Sequence, residues 1–195
     1  SYSIKDGQKL SVLQNPGGDG RAKVSGDGLT AFGFSKTHAS APFAMYVGSA
    51  FRGTRGMSGN DYSLTATNIQ DLIVDKSAPS TSFWTIGNSG VYYHAWNGGS
   101  YTNSNKNLGG SGTVRALSQS SADNNTVYAV RGDKFYKSTN KGTSWTAGTS
   151  WGGNASNRCG IASSPTNKDL VLVACKSSNS VNSAYSINGG SSWTT

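Results

Sequence analysis

The sequence predicts an all-β fold assembled from repeated four-stranded units, and three observations predict it. Short apolar runs rich in Val, Ile, Tyr and Trp recur along the 195 residues, and no window holds a 3.6-residue period. Gly is 26 of 195 against only 4 Pro, and Ser, Thr and Asn crowd the gaps, as in short strands joined by many turns. One turn pattern also returns: Ser-x-Asn-x-Gly-x-x-Trp, as Ser138, Asn140, Gly142 and Trp145, and again as Ser186, Asn188, Gly190 and Trp193. Each copy reads as a strand, a tight turn and a second strand. Asn and Gly tolerate positive φ, Ser or Asn bonds the turn's own backbone, and the Trp closes over the turn as a packed plug. Weaker copies run from Ser3 to Leu10 and from Ala95 to Tyr101.

In chain order, Tyr2 to Leu13 is a turn and a strand, and Asn15-Pro16-Gly17-Gly18-Asp19-Gly20 breaks the chain. A first unit holds strands at Arg21 to Ser25, Leu29 to Phe34, Phe43 to Val47 and Tyr62 to Thr65. The second has Ile69 to Val74, Ser82 to Ile86, Val91 to Ala95 and a short strand near Tyr101. The third has Val114 to Ser118, Thr126 to Val130, Phe135 to Ser138 and Trp145 to Ala147. The fourth has Cys159 to Ala162, Leu170 to Ala174, Ala184 to Ile187 and Trp193 to Thr195. Four strands in about 45 residues is the period of a β-propeller blade. The unit boundaries are 1–20 (the end of a preceding blade), 21–66, 67–102, 103–147 and 148–195. With about four blades, the chain is expected to be one segment of a propeller, completed by further blades of a longer chain or by a second copy.

Seventeen Lys and Arg face nine acids, all Asp, for a formal charge of +8. The bases are scattered singly, which argues against a nucleic-acid footprint and leaves a solvated basic surface or an acidic glycan as partner. No apolar run approaches the ~20 residues of a membrane span. Two Cys and two separated His, His38 and His94, make no metal set, and no cofactor is expected. Cys159 and Cys175 fall on neighbouring strands, where they either close a disulfide or remain a buried pair of thiols. The sequons Asn124-Asn125-Thr126 and Asn154-Ala155-Ser156 favour a secreted, extracellular protein.

The repeated turn resembles the Asp-box (BNR repeat) of the sialidase-like β-propeller superfamily, Ser-x-Asp-x-Gly-x-x-Trp, with Asn140 and Asn188 in place of the Asp. Ser163 to Pro165 and Asp75 to Pro79 resemble the linkers of that superfamily. The box marks a fold, shared by sialidases, xyloglucanase-type glycoside hydrolases, sortilin-type receptors, photosystem assembly factors and some lectins. The resemblance is nearest to the xyloglucanase-type hydrolases. It implies a secreted protein acting on a polysaccharide such as a β-glucan or xyloglucan, in a groove whose acid and base are two Asp. Asp71 is the best-placed candidate, followed by Asp19 and Asp133; an inverting pair needs roughly 6.5–9.5 Å between carboxyls. Sialidase chemistry needs a Glu beside a nucleophilic Tyr, and the sequence has no Glu.

In such propellers ligands bind on the face opposite the boxes, where first strands begin. Aligned units place Arg21, Asp71, Arg115 and Arg158 at one equivalent position there. Three arginines near one axis bind a carboxylate or sulfate; as ordinary strand-edge charges they pair with solvent or with Asp71. Trp151, in a Gly-rich loop with Asn154, offers a stacking face for a sugar ring while Asn154 bonds hydroxyls; Trp84 reads as core. Arg131-Gly132-Asp133 spells an integrin-recognition tripeptide, but Gly and Asp are the residues a hairpin turn needs there. The other reading is a non-catalytic, carbohydrate-binding lectin or scaffold in which each blade offers a pocket, for acidic glycans.

Overall fold

The computed structural model of the chain describes residues 2–4, 8–10, 20–24, 30–35, 43–47, 50–55, 69–79, 81–88, 90–96, 101–155, 158–177 and 180–195. Side chains are described from residue 70 onward, those of Trp96, Tyr101, Asn103 and Gly148 excepted. Among these residues the regular structure is all strand. β1 (Tyr2–Ile4) and β2 (Gln8–Leu10) form a hairpin. β3 (Gly20–Val24), β4 (Thr30–Ser35), β5 (Phe43–Val47) and β6 (Ala50–Arg55) form a four-stranded sheet. So do β7 (Ile69–Val74), β8 (Ser82–Gly87), β9 (Gly90–Trp96) and β10 (Tyr101–Asn105). A third sheet holds β11 (Ala116–Gln119), β12 (Val127–Ser138) and β13 (Thr146–Ala155), and a fourth β14 (Cys159–Ser163), β15 (Val171–Lys176) and β16 (Val181–Ser186). Every pairing is antiparallel between sequence neighbours.

The third and fourth sheets are four-limbed as well. Seven residues of straight strand would separate Tyr128 from Phe135 by about 23 Å, yet their rings stack with centroids 5.6 Å apart. β12 therefore doubles back around Gly132, whose φ of 60° suits the reversal. Its first limb pairs with β11 and its second with β13, as the separate expected strands at 126–130 and 135–138 require. In the fourth sheet a bridge between Tyr185 and Thr194 supplies the last edge.

Two strands depart from expectation. The fourth strand of the first unit is β6, Ala50–Arg55, while the expected strand at 62–65 lies outside the described residues. β13 runs on to Ala155, through the expected unit boundary at 147/148 and through the segment expected to be a loop around Trp151. Trp151 is the reason: its ring is 1% exposed and lies over Gly153, where a Cβ would come within 2.2 Å of it. Gly153 permits that close packing rather than a loop.

The first strands of successive sheets, β3, β7, β11 and β14, lie side by side. The sheets stack face on face through alternating apolar residues. Trp84, Ile86 and Val91 of the second sheet meet Leu117, Val127, Ala129 and Tyr136 of the third. Tyr128, Val130, Phe135 and Trp151 of the third then meet Val171, Val173, Cys175 and Ala184 of the fourth. Cys159 and Cys175 are opposite partners across β14 and β15, with Cα atoms 4.1 Å apart, and are joined as a disulfide.

The repeated turns close with matching bonds. The Ser138 hydroxyl accepts from Asn140 N (3.3 Å) and Gly142 N (2.8 Å), and the Asn140 side chain accepts from Ser144 N (2.9 Å) and donates to Ser144 Oγ (2.8 Å). In the second copy Ser186 accepts from Asn188 N (3.3 Å) and Gly190 N (2.8 Å), and Asn188 bonds Ser192 N (2.9 Å) and Oγ (2.7 Å). Each turn docks on the first-to-second-strand turn of its own sheet, through Lys141 N to Asn125 O (2.9 Å) and Gly189 N to Asp169 O (2.8 Å). Trp145 donates to Lys106 O (3.1 Å), and Trp193 meets Phe135 edge-on with centroids 4.9 Å apart.

Candidate functional site

The docked turns define one end of the stacked sheets, so the strand-two-to-three turns and the starts of the first strands define the other. At that other end, segment 106–115 leads from β10 into β11. Lys106 N bonds Val91 O (2.8 Å), Val114 N bonds Gly87 O (3.1 Å) and Thr113 Oγ1 bonds Asn88 Oδ1 (2.8 Å), which anchors the segment across the second sheet. Gly109, Gly110 and Gly112 have φ of 71°, 67° and 111°, a backbone that side-chain-bearing residues rarely adopt.

Between this segment, the β12 reversal and the end of β13 lies an open cavity of about 500 Å³. Its charged and polar walls are Arg115, Arg131, Asp133, Lys134, Tyr136 and Asn154, with Gly110, Ser111, Gly112 and Thr113 along one side. Arg131 is fixed: Nη2 donates to Tyr136 Oη (2.7 Å) and to Gly109 O, Nη1 donates to Gly110 O (3.4 Å), and the guanidinium lies 5.0 Å from the Tyr136 ring centroid. Arg115 donates to Gln70 Oε1 (3.2 Å), tying the third sheet to the start of the second. Asp133 and Lys134 pair at 3.4 Å with both side chains about half exposed.

Of the residues singled out from sequence, the cavity gathers Arg115, Asp133 and Asn154. Asp71 does not line it; it sits half-buried in β7, with Oδ1 accepting from Leu72 N at 2.9 Å. Arg158 precedes β14 and is exposed, and Arg21 lies in β3, its side chain outside the description, as is Asp19 altogether. Trp151 is a correction: burial between the third and fourth sheets leaves no ring face for a ligand. The sequence places the loop Arg131 to Lys134 on the ligand face without singling out Arg131 or Lys134, and it does not point to Tyr136. The signal was present, since Arg131 and Lys134 flank the Gly132-Asp133 reversal and so project from one hairpin end.

The opposite end holds a second polar cluster. Asp75, fully buried, accepts from Ser77 N (2.9 Å), Ser77 Oγ (2.7 Å), Gln119 Nε2 (2.8 Å) and Tyr93 Oη (2.6 Å), with Lys141 Nζ at 3.4 Å. Burial alone pushes its carboxyl up, but the bonds from Tyr93, Gln119 and Ser77 outweigh that and hold it below its ordinary value. Burial and the bond to Asp75 push Tyr93 up to about 12. Every oxygen is satisfied from within the protein, so this cluster is a clasp between sheets. Among the described residues no group of three or more His, Cys, Asp or Glu is placed to hold a metal ion.

No family model matches the sequence, and no curated protein matches it significantly. Solved structures do. The chain is similar to an ancestral GH74 enzyme, at 15% identity and a TM-score of 0.61 over 90% of this chain and 23% of that one. It is also similar to the GH74 enzyme of Niastella koreensis, at 21% identity and a TM-score of 0.53 over 88% of this chain and 23% of that one. The fold is of β-propeller type. The chain spans about a quarter of the length of these neighbours.

Proposed function

We propose that this chain is a carbohydrate-binding part of a larger, secreted, polysaccharide-acting propeller, and that the cavity beside the third sheet is a section of its glycan groove. The observation that carries the reading is the convergence of Arg115, Asp133 and Asn154 in one open cavity, at the end away from the repeated turns. Its volume suits a small-molecule or sugar subsite. The fold likeness to GH74 enzymes supports a hydrolase-like architecture, the repeated turns support kinship with Asp-box propellers, and the disulfide suits an oxidising, extracellular setting. In this reading Asn154 and Arg115 bond sugar hydroxyls or charged groups, Arg21 and Arg158 extend the groove, and Asp71, Asp19 and Asp133 supply the acid and base. The substrate is a β-glucan or xyloglucan.

A second reading, a non-catalytic lectin, is favoured by one observation. Asp133 is the single carboxylate lining the cavity among the described residues, and it is engaged by Lys134. Release of reducing ends from β-glucan and xyloglucan by the intact protein separates the two. Turnover that is lost in Asp71→Asn or Asp133→Asn supports the hydrolase, binding without turnover supports the lectin, and neither binding nor turnover overturns both.

We further propose that the outer face of the fourth sheet receives another blade of a longer chain. Trp84, Tyr128 and Leu172 occupy equivalent second-strand positions. The first two are fully buried against the next sheet, whereas Leu172 is 46% exposed beside Tyr185, also 46%. This face continues the pattern of the two seams already formed. Faster labelling at Leu172→Cys in the isolated segment than in the intact protein supports the proposal; equal labelling, or a homodimer that covers this face, overturns it.

A further inference from the structure

We infer that the cavity is an anion-selective subsite, taking a sugar unit that carries a carboxylate or a sulfate. The inference rests on the glycan reading above and adds to its β-glucan or xyloglucan main chain an acidic unit held at this one subsite. Among the described residues, three cations, Arg115, Arg131 and Lys134, and one carboxylate, Asp133, line the cavity, which leaves it with an excess of positive charge. Arg131 is held rigid without being neutralised: its partners are two backbone carbonyls and a phenol, and it has no carboxylate partner among the described residues. A fixed, uncompensated guanidinium at a cavity wall is a preorganised anion partner, because its side-chain freedom is already lost before binding. Arg115 uses one N–H on Gln70 and has no other acceptor among the described residues, leaving the rest of its fork for a planar carboxylate or a sulfate.

The backbone adds to this. The N–H groups of Gly110, Ser111, Gly112 and Thr113 have no acceptor among the described residues, and all four residues border the cavity. Consecutive amides in a left-handed, Gly-rich turn make a concavity for anions. A neutral sugar leaves the excess charge unanswered. An acidic one meets two guanidiniums and the Lys134 ammonium, which it shares with Asp133, while Asn154 remains for hydroxyls.

The test is calorimetric titration of the intact protein with three oligosaccharides: an oligogalacturonate, a sulfated oligosaccharide and a neutral xyloglucan fragment, each at low and high salt. Expected is binding of one charged class at least about tenfold tighter than the neutral fragment, weakened by salt. Lys134→Gln, whose exposed side chain leaves the fold alone, and Arg115→Gln, checked by thermal melting, should each lower that affinity about three- to tenfold and weaken the neutral ligand by clearly less. Whether the carboxylate or the sulfate ligand responds identifies the group. Equal affinity for charged and neutral sugars, or variants without effect, overturns the anion subsite and leaves the glycan reading standing. Absence of binding to all three overturns the glycan reading. Inorganic sulfate then decides the subsite: a melting temperature raised in the parent but not in Arg115→Gln upholds it, and no shift overturns it.

Discussion

The seam between the second and third sheets and the seam between the third and fourth hold the same turn at the same place, yet their polar chemistry is reversed. Backbone bonds from Asp75 N to Ser82 O (3.0 Å) and from Ser120 N to Thr126 O (2.9 Å) mark Asp75 and Ser120 as equivalents. Lys141 and Gly189 are equivalents by their place in the repeated turn, and both have positive φ, 51° and 67°. In the earlier seam the anion belongs to the preceding sheet, Asp75, and the cation to the following one, Lys141. In the later seam Ser120 and Gly189 stand at those positions. The cation is Lys137 of the preceding sheet and the anion Asp169 of the following one, 2.8 Å apart. The repeat conserves the backbone solution and leaves the side chains free to clasp in either polarity. Burial then separates the two: Asp75 is sealed in, whereas the Lys137 and Asp169 side chains are 24% and 41% exposed.

Breaking the buried clasp should have the largest effect. Asp75→Ala removes the buried acceptor shared by Tyr93 Oη, Gln119 Nε2, Ser77 and Lys141, and should cost about 3–5 kcal/mol by urea unfolding, while Ser120→Ala loses only its caps to Ala122 and Asp123 and should cost about 1 kcal/mol. Similar costs at both positions would dissolve the contrast. Next comes Gly189→Ala. A Cβ there meets Lys137 Nζ at 2.4 Å and Asp169 Oδ1 at 2.7 Å besides the φ strain, so about 1–3 kcal/mol should be lost. Smallest is the exposed pair: a double-mutant cycle on Lys137 and Asp169 should return about 0.5–1 kcal/mol and shrink with salt.

The pH dependence sharpens the same comparison at both extremes. Asp75 lies below its ordinary value when folded, so its contribution is full above the unfolded pKa of about 3.9 and is lost as pH falls through the folded one. Tyr93 is raised, to about 12, so its contribution is full below about 10 and fades as pH rises from there to about 12. Asp75→Asn should flatten the acid limb of the stability curve, and Tyr93→Phe the alkaline limb. A curve unchanged by both substitutions would mean that the clasp does not set the limits.

Strand content, the repeating unit and the two turns were legible because they are local. Alternation, Gly and Asn placement and the recurring Ser-x-Asn-x-Gly-x-x-Trp depend on a few neighbouring residues each. Two strands of the fourth sheet match expectation closely, at 159–163 and 171–176, while the third, 181–186, begins three residues before the expected start at Ala184. The site was less legible. Asp133 and Asn154 share a cavity while Asp71 lies apart, and no spacing in the chain distinguishes them. Trp151, followed by two glycines, reads locally as a loop residue, and a neighbouring sheet buried it.

By itself, then, the sequence determined an all-β chain of repeated antiparallel units, the conformation of its repeated turns, and an excess of dispersed positive charge, because these follow from short-range sterics and composition. Only the tertiary structure decided which charges meet. Arg115, Arg131 and Lys134 converge because the β12 reversal and the segment leading to β11 come together at one end. Asp75 and Lys141, 66 residues apart, pair because successive sheets stack face to face. Contacts of that range depend on how whole sheets pack, and no window of the chain contains both partners.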